Sequence, residues 1–234
     1  QITGGYFADP VKKPVSDLAN IGFPIAEIDA HANGVITKLE DTGGIINLAT
    51  VKEQLLYEIN DPTGYITPDL IVDITNVQLK EIGPNRVEVT GGKAAGKPSQ
   101  LKVSVGYHAG YIGEGEISYA GSSAIERAEM AGDIVKKRLE AIYSDLRVDF
   151  IGCNSVHRSD FSRNSQPYEV RLRIAGKANS LSEAQRIGEE VEALYLNGPA
   201  GGGGARKYNK EVVGIVSVNI PLEKVQSKVT VKER

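Results

Sequence analysis

Tyr168-Glu-Val-Arg-Leu-Arg-Ile174 alternates without a break, with Tyr168, Val170, Leu172 and Ile174 on one parity and Glu169, Arg171 and Arg173 on the other. Period-two spacing of this kind is that of a β-strand with one face buried. Downstream, Ser180-Leu-Ser-Glu183 has the pattern of a helix capping box. Ala184, Ile187, Val191, Leu194 and Tyr195 then recur at helical spacing, and Asn197-Gly198-Pro199 supplies a stop. Val212 to Ile220 is rich in β-branched residues and reads as another strand.

Upstream the same grammar repeats. Arg147 to Cys153 reads as a short strand. Ser123-Ala-Ile-Glu126 is a second capping box, opening a helix whose stripe is Ala124, Ala128, Ala131, Ile134, Val135, Leu139 and Ile142, continuing to about Tyr143. Leu101, Val103, Val105 and Tyr107 alternate as a first strand. The order is strand, helix, strand, strand, helix, strand. With right-handed crossovers, this predicts a ferredoxin-like βαββαβ domain, a four-stranded antiparallel sheet with both helices on one face. Its strands are expected near 100–107, 147–153, 168–176 and 211–219, and its helices over 123–143 and 181–196.

Residues 1–95 read as a mixed, β-hairpin-rich segment, so the fold class is α+β. Phe23 to Ile28 and Val35 to Lys38 flank a turn at Ala32-Asn33-Gly34. Thr50-Val-Lys-Glu53 looks like a third capping box, with a helix running through Leu55, Leu56 and Ile59 and stopping before Asp61-Pro62. Leu70 to Lys80 and Arg86 to Thr90 alternate around Gly83-Pro84-Asn85, a second hairpin. The Gly/Lys-rich stretch 91–98 reads as a loop and as the boundary between a 1–95 segment and a 96–234 domain.

Composition narrows the function. The chain has 234 residues, 41% hydrophobic and 24% charged, with a net charge of -3. An acidic balance argues against nucleic acid as partner, and no apolar run is long enough for a membrane span. A single cysteine, Cys153, excludes an internal disulfide and fits a reducing, cytoplasmic setting. Three histidines, His31, His108 and His157, show no metal-ligand spacing, so no metal is expected and no cofactor is required.

Several groups could carry chemistry. Gly198-Pro-Ala-Gly-Gly-Gly-Gly204-Ala-Arg206-Lys207 exposes successive amides beside two cations, which suits an anion-binding nest at Gly201, Gly202, Gly203 and Arg206. The same run also suits a flexible connector, mobile over 199–207. Thr42-Gly43-Gly44 precedes a helix whose amides could hold an anion, or is simple turn chemistry. Cys153 with His157, and His108 between tyrosines, are weaker acid–base or nucleophile candidates beside a structural role. The stretch Glu53 to Asp69 concentrates carboxylates and phenols, which can transfer protons or merely solvate a helix face.

Taken together, Thr3-Gly-Gly-Tyr-Phe-Ala-Asp9-Pro, Gly22-Phe-Pro-Ile-Ala-Glu27, Val35-Ile-Thr-Lys38, Thr42-Gly-Gly, Val51 to Ile59 with Asp61-Pro62, Tyr65-Ile-Thr-Pro-Asp69, Gly115-Glu-Ile-Ser-Tyr-Ala-Gly121 and Gly198 to Gly204 resemble the acyclic terpene utilisation AtuA-like family. Members of that family are longer and carry a Gly-rich α/β region upstream. The resemblance therefore implies a C-terminal portion, either a fragment or a subunit that pairs with a complementary chain. Founding members serve bacterial degradation of citronellol and geraniol through CoA thioesters. One reading is thus an enzyme, or part of one, acting on a branched acyl-CoA or related carboxylate as hydratase or lyase. Glu27, Lys38, Glu58, Asp61 and Tyr65 would then be acid, base or clamp, with Gly43, Gly44 and Gly201–Arg206 near phosphates. The other reading is a non-catalytic oligomerisation or binding subunit. In either case a homo-oligomer, or a complementary chain supplying the upstream region, is expected.

Overall fold

The alternation is realised over Glu169–Ile174, whereas Tyr168, expected on the buried parity, precedes the strand and is exposed. Val170, Leu172 and Ile174 are fully buried, while Arg171 and Arg173 point to the opposite face of their strand. The computed structural model describes residues 1–231 other than 32, 158, 163, 164 and 227, and has mixed α/β content built on antiparallel sheets. The chain forms two compact units, Gln1–Val103 with Val218–Arg234, and Ser104–Ser217.

In the first unit the elements run β1 (Ile25–Ile28), β2 (Gly34–Thr37), α1 (Leu48–Leu56), β3 (Tyr65–Ile66), β4 (Ile71–Asp73), β5 (Gln78–Gly83), β6 (Arg86–Thr90) and β7 (Lys93–Gly96). They build one sheet in the order β1-β2-β6-β5 and another in the order β3-β4-β7. The first expected hairpin forms, and the second forms with a shorter first strand, since of the expected Leu70–Lys80 run residues 71–73 are β4 of another sheet and β5 alone pairs with β6. Ile28 faces Gly34 across the first turn, of which Ala32 lies outside the described residues. Gly83 faces Arg86 across the second, with Asn85 left-handed at φ 53°. Residues 91–98, read as loop, instead contain β7, whose partner β4 gives them a ladder to join.

The first helix begins earlier than its sequence pattern suggests. Asn47, not Thr50, is the N-cap. Its Oδ1 accepts from the amides of Ala49 (2.9 Å) and Thr50 (3.0 Å), and Thr50 Oγ1 accepts from Asn47 N at 3.1 Å. The reciprocal box is thus closed by a Thr at the third helical position, where Glu or Gln is the usual signal. The helix ends at Leu56, short of Ile59, and Glu58 is left-handed at φ 58°.

The second unit holds β8 (Gln100–Ala120), α2 (Ala124–Leu139), β9 (Leu146–Ile151), α3 (Ser159–Ser162), β10 (Glu169–Ala178), α4 (Leu181–Glu192), α5 (Leu194–Asn197) and β11 (Gly203–Pro221). Strands β8 and β11 run past the second unit into Gln100–Val103 and Val218–Pro221 of the first. The sheet order is β11-β8-β10-β9, with β8–β10 and β10–β9 antiparallel. Ser180 Oγ caps α4, accepting from Glu183 N at 3.2 Å. Ser123 does not cap α2: it is left-handed at φ 58°, and its side chain makes no cap bond. Helix α2 ends at Leu139, before Tyr143.

Two strands are far longer than expected, and glycine explains why the alternation stops being visible. In β8 the inward parity continues as Gly113, Gly115, Ile117 and Tyr119. A Cβ at Gly113 would lie 1.9 Å from the Ala184 carbonyl oxygen, and one at Gly115 would lie 2.7 Å from Val191. These positions are empty so that α4 can lie directly on the strand. Helix α2 packs on the same face, through Gly132 against Leu172 and Val148. The core joins Ile117, Tyr119, Val170, Leu172 and Ile174 to Ala128, Val135 and Leu139 of α2 and Ile187 and Val191 of α4. Each fully buried Val, Leu and Ile of this set stabilises by about 1.5–3 kcal/mol.

Candidate functional site

Three of the five acid–base candidates of the N-terminal unit, Glu27, Lys38 and Asp61, have a local partner. Glu27 on β1 forms a two-pronged ion pair with Arg86 on β6, one contact being 3.0 Å, and this hydrogen bonding holds its carboxyl below the ordinary value. Lys38 is buried, and its Nζ donates to the carbonyls of Thr42 (2.6 Å) and Leu39 (3.4 Å), stapling the loop after β2. Asp61 accepts from Thr63 Oγ1 at 2.6 Å and Thr63 N at 2.9 Å, which lowers its pKa and closes a turn after α1. Glu58 is exposed, and Tyr65 is about half exposed on β3, in a different sheet from Glu27. No hydrogen bond among the described residues links any two of these five.

The amides before α1 are also engaged. Gly43 N donates to Asn20 O (2.8 Å) and Gly44 N to Ser16 O (2.9 Å). A cavity of about 730 Å³ lies beside them, lined by Val15, Gly44, Asn47 and Glu81. Its helix amides are already bound: Ile46 N to Asn85, Leu48 N to Glu81, and Ala49 and Thr50 N to Asn47. Its one ionised wall is the carboxylate of Glu81, which does not suit an anion.

The glycine run is a packed element and not an open nest. Arg127 on α2 reaches across to it, donating from Nη1 to Ala200 O at 2.9 Å, from Nη2 to Ala120 O (2.7 Å) and Ser122 O (2.9 Å), and from Nε to Ser123 O (3.2 Å). Gly201, at φ 77°, lies against that guanidinium, and a Cβ at Gly202 would stand 2.9 Å from Ile117 and 3.3 Å from Tyr119. Gly203 and Gly204 already belong to β11, so Arg206 and Lys207 are strand residues and not part of a mobile loop. The strand begins at 203, not 211.

The arrangement with most chemical capacity lies elsewhere in the second unit. A cavity of about 650 Å³ is enclosed by the segment after α2 (Ile142 to Asp145), the middle and end of β10 (Arg173 to Asn179), Glu183 of α4, Arg147 of β9, and Ala109 and Ile112 of β8. Its size is that of an ordinary small-molecule pocket. Ile112, Ile142, Ala175 and Ala178 give it an aliphatic wall, while the cations Arg147, Arg173 and Lys177 stand beside the carboxylates Asp145 and Glu183.

Strand pairing sets that charge in place. Arg173 lies opposite Asp149 on β9 and Glu116 on β8. Its Nη1 is 2.9 Å from Asp149 Oδ2 and its Nη2 binds Glu114, contacts that raise its pKa further, Glu114 contributing most. Arg147 Nε binds both oxygens of Asp149, at 3.0 and 2.9 Å. Next along the ladder, Arg171 Nη1 is 2.9 Å from Glu116 Oε2. Asp149 is only 8% exposed and Arg147 is 67% exposed at its side chain, so the network runs from a buried carboxylate to an accessible guanidinium. At the other end of the cavity the buried Tyr143 phenol donates to Glu183 O, and Glu183 Oε2 accepts from Asn179 N at 2.9 Å. Burial holds the Tyr143 phenol protonated beyond its usual range.

This cavity is not legible from residue types, because its parts lie on three strands and two helix ends. The available signal was Arg171 and Arg173 on the outward parity of a strand already recognised, together with Glu114, Glu116 and Asp149 on the neighbouring strands. Among the described residues no group of three or more His, Cys, Asp or Glu is arranged to hold a metal ion. No helix is long and apolar enough to cross a membrane.

Neither a curated protein nor a solved structure matches the chain. The family model described as "Acyclic terpene utilisation family protein AtuA" matches residues 1–231, essentially the whole length. The chain belongs to the acyclic terpene utilisation AtuA family.

Proposed function

We propose that this chain serves acyclic terpene utilisation by binding a branched aliphatic carboxylate, free or as its CoA thioester, in the cavity between β10, the segment after α2 and the start of α4. The observation that carries this reading is the pairing of an aliphatic wall at Ile112, Ile142 and Ala175 with exposed cations at Arg147 and Lys177. An arginine fork suits a carboxylate or phosphate, and branched hydrocarbon favours leaving water for such a wall. The test is calorimetric titration with geranate, the acid of geraniol. Arg147→Gln and Lys177→Gln should each weaken binding by about tenfold, the worth of one charge-assisted bond. Unchanged affinity in both variants would end this reading.

Hydratase or lyase chemistry is the finer form of the proposal. Asp145, at the rim of the same cavity, is the carboxylate we assign as base. It would take a proton from a water adding to the β-carbon of an enoyl thioester and return it to the α-carbon. The earlier set Glu27, Lys38, Glu58, Asp61 and Tyr65 draws no support from its geometry, since each residue is remote from this cavity in sequence and bound locally or exposed.

We further read the second unit as a ferredoxin-like βαββαβ arrangement, supported by the order β11-β8-β10-β9 and by two helices packed on one face. A non-catalytic, self-associating subunit is the second reading. It is favoured by β11, an edge strand on which Val213 is 68% and Ile215 is 74% exposed. Exposed apolar edge strands pair readily with other chains. The occupant we assign is a second copy of this chain.

A further inference from the structure

The sheet face away from the helices carries a second candidate site on β11. Ala205 packs on the core, and the Lys207 stem lies 2.8 Å from where a Gly188 Cβ on α4 would stand, so at its start this strand turns positions 205 and 207 toward the helices. Arg206, Tyr208 and Lys210 therefore share the opposite face. They line a concavity of about 430 Å³ with Ile112, Glu114 and Glu116 of the adjacent β8. Those two glutamates are already matched by Arg173 and Arg171 from β10. Among the described residues neither Arg206 nor Lys210 is in an ion pair, so the concavity carries two uncompensated positive charges on either side of a half-exposed phenol ring.

We infer that Arg206, Tyr208 and Lys210 form a binding strip for a nucleoside diphosphate group. Positions two apart on a strand are about 6.6 Å from each other. A base stacked on the Tyr208 ring thus puts its phosphates within reach of a flanking cation. Stacking on an aromatic ring and pairing with phosphate are separable contributions, and the row of cation, ring and cation offers both. The strip meets the carboxylate cavity at Ile112, which lines both. It does not depend on that cavity being a ligand site, because its probe is a nucleotide without an acyl chain.

The experiment is titration of the intact chain with ADP, with adenosine and inorganic pyrophosphate as comparators. Saturable ADP binding, tighter than either comparator, is expected. Arg206→Ala and Lys210→Ala should each weaken it by about tenfold. Tyr208→Phe should retain binding and Tyr208→Ala should lose it, since a ring and not a hydroxyl is required. Geranate affinity should not change in Tyr208→Ala, which separates failure of this site from failure of the cavity. Pyrophosphate binding as tightly as ADP would reduce the strip to a patch of surface charge and overturn the inference. So would ADP binding that is unaffected by Arg206→Ala.

Discussion

Arg173 and Asp149 face each other across β10 and β9 with 2.9 Å between Nη1 and Oδ2, and the same guanidinium binds Glu114 on the other side, so one side chain ties three strands. The face away from the helices is stabilised by charge where the other is stabilised by apolar packing. Arg173→Met should therefore destabilise the second unit by about 1.5–3 kcal/mol, because Asp149 is nearly buried and loses a charged partner. Arg173→Lys should recover only part of this, since an ammonium cannot fork two carboxylates. Urea unfolding of the variants checks both, and equal stability of Arg173→Met and wild type would contradict the account.

The glycine run provides a contrast within adjacent residues. A Cβ at Gly202 would press on Ile117 and Tyr119, whereas one at Gly203 meets nothing within 4 Å. Gly202→Ala should cost about 1–3 kcal/mol through overpacking, and Gly203→Ala should be near neutral. If both are neutral, the run is not the packed element described above.

Two phenols set an alkaline limit. Burial raises the pKa of both Tyr119 and Tyr143 above the ordinary value of 10.0, so the folded state holds these protons more tightly than the unfolded chain. Their effect on stability is constant below the unfolded value. Stability then falls as pH rises above about 10 toward the folded values, because there the native state binds more protons. Tyr143→Phe should flatten that fall while lowering stability at neutral pH by about 1 kcal/mol, the worth of its bond to the Glu183 carbonyl. Chemical unfolding at neutral and alkaline pH tests both parts.

These sites show what the sequence made legible. Wherever inward positions are filled by large side chains, as at Val170, Leu172 and Ile174 or along α2 and α4, spacing alone located the element. Where the inward positions are Gly113 and Gly115, the strand is concealed because close helix packing removes the side chains that would mark it. The cap of α1 is not legible in the sequence, because Asn47 and Thr50 do the work expected of a serine and a glutamate. The cavity stayed hidden for another reason: its cations and aliphatic residues come together only through the pairing of β8, β10 and β9.

Self-association has a direct check. If a second copy covers β11, sedimentation should show a dimer or larger species, and Val213→Lys with Ile215→Lys should yield a monomer with unchanged far-UV circular dichroism. A wild-type chain that stays monomeric at tens of micromolar would remove that reading.

The central claim is that the ligand enters the cavity at the end of β10. The most direct measurement is amide hydrogen exchange across the whole chain with and without saturating geranate. Slowed exchange is expected, confined to 142–147 and 173–183, and in Lys177→Gln the same protection should need about tenfold more ligand. Protection appearing instead around Glu27, Lys38 and Asp61, or nowhere, would contradict it.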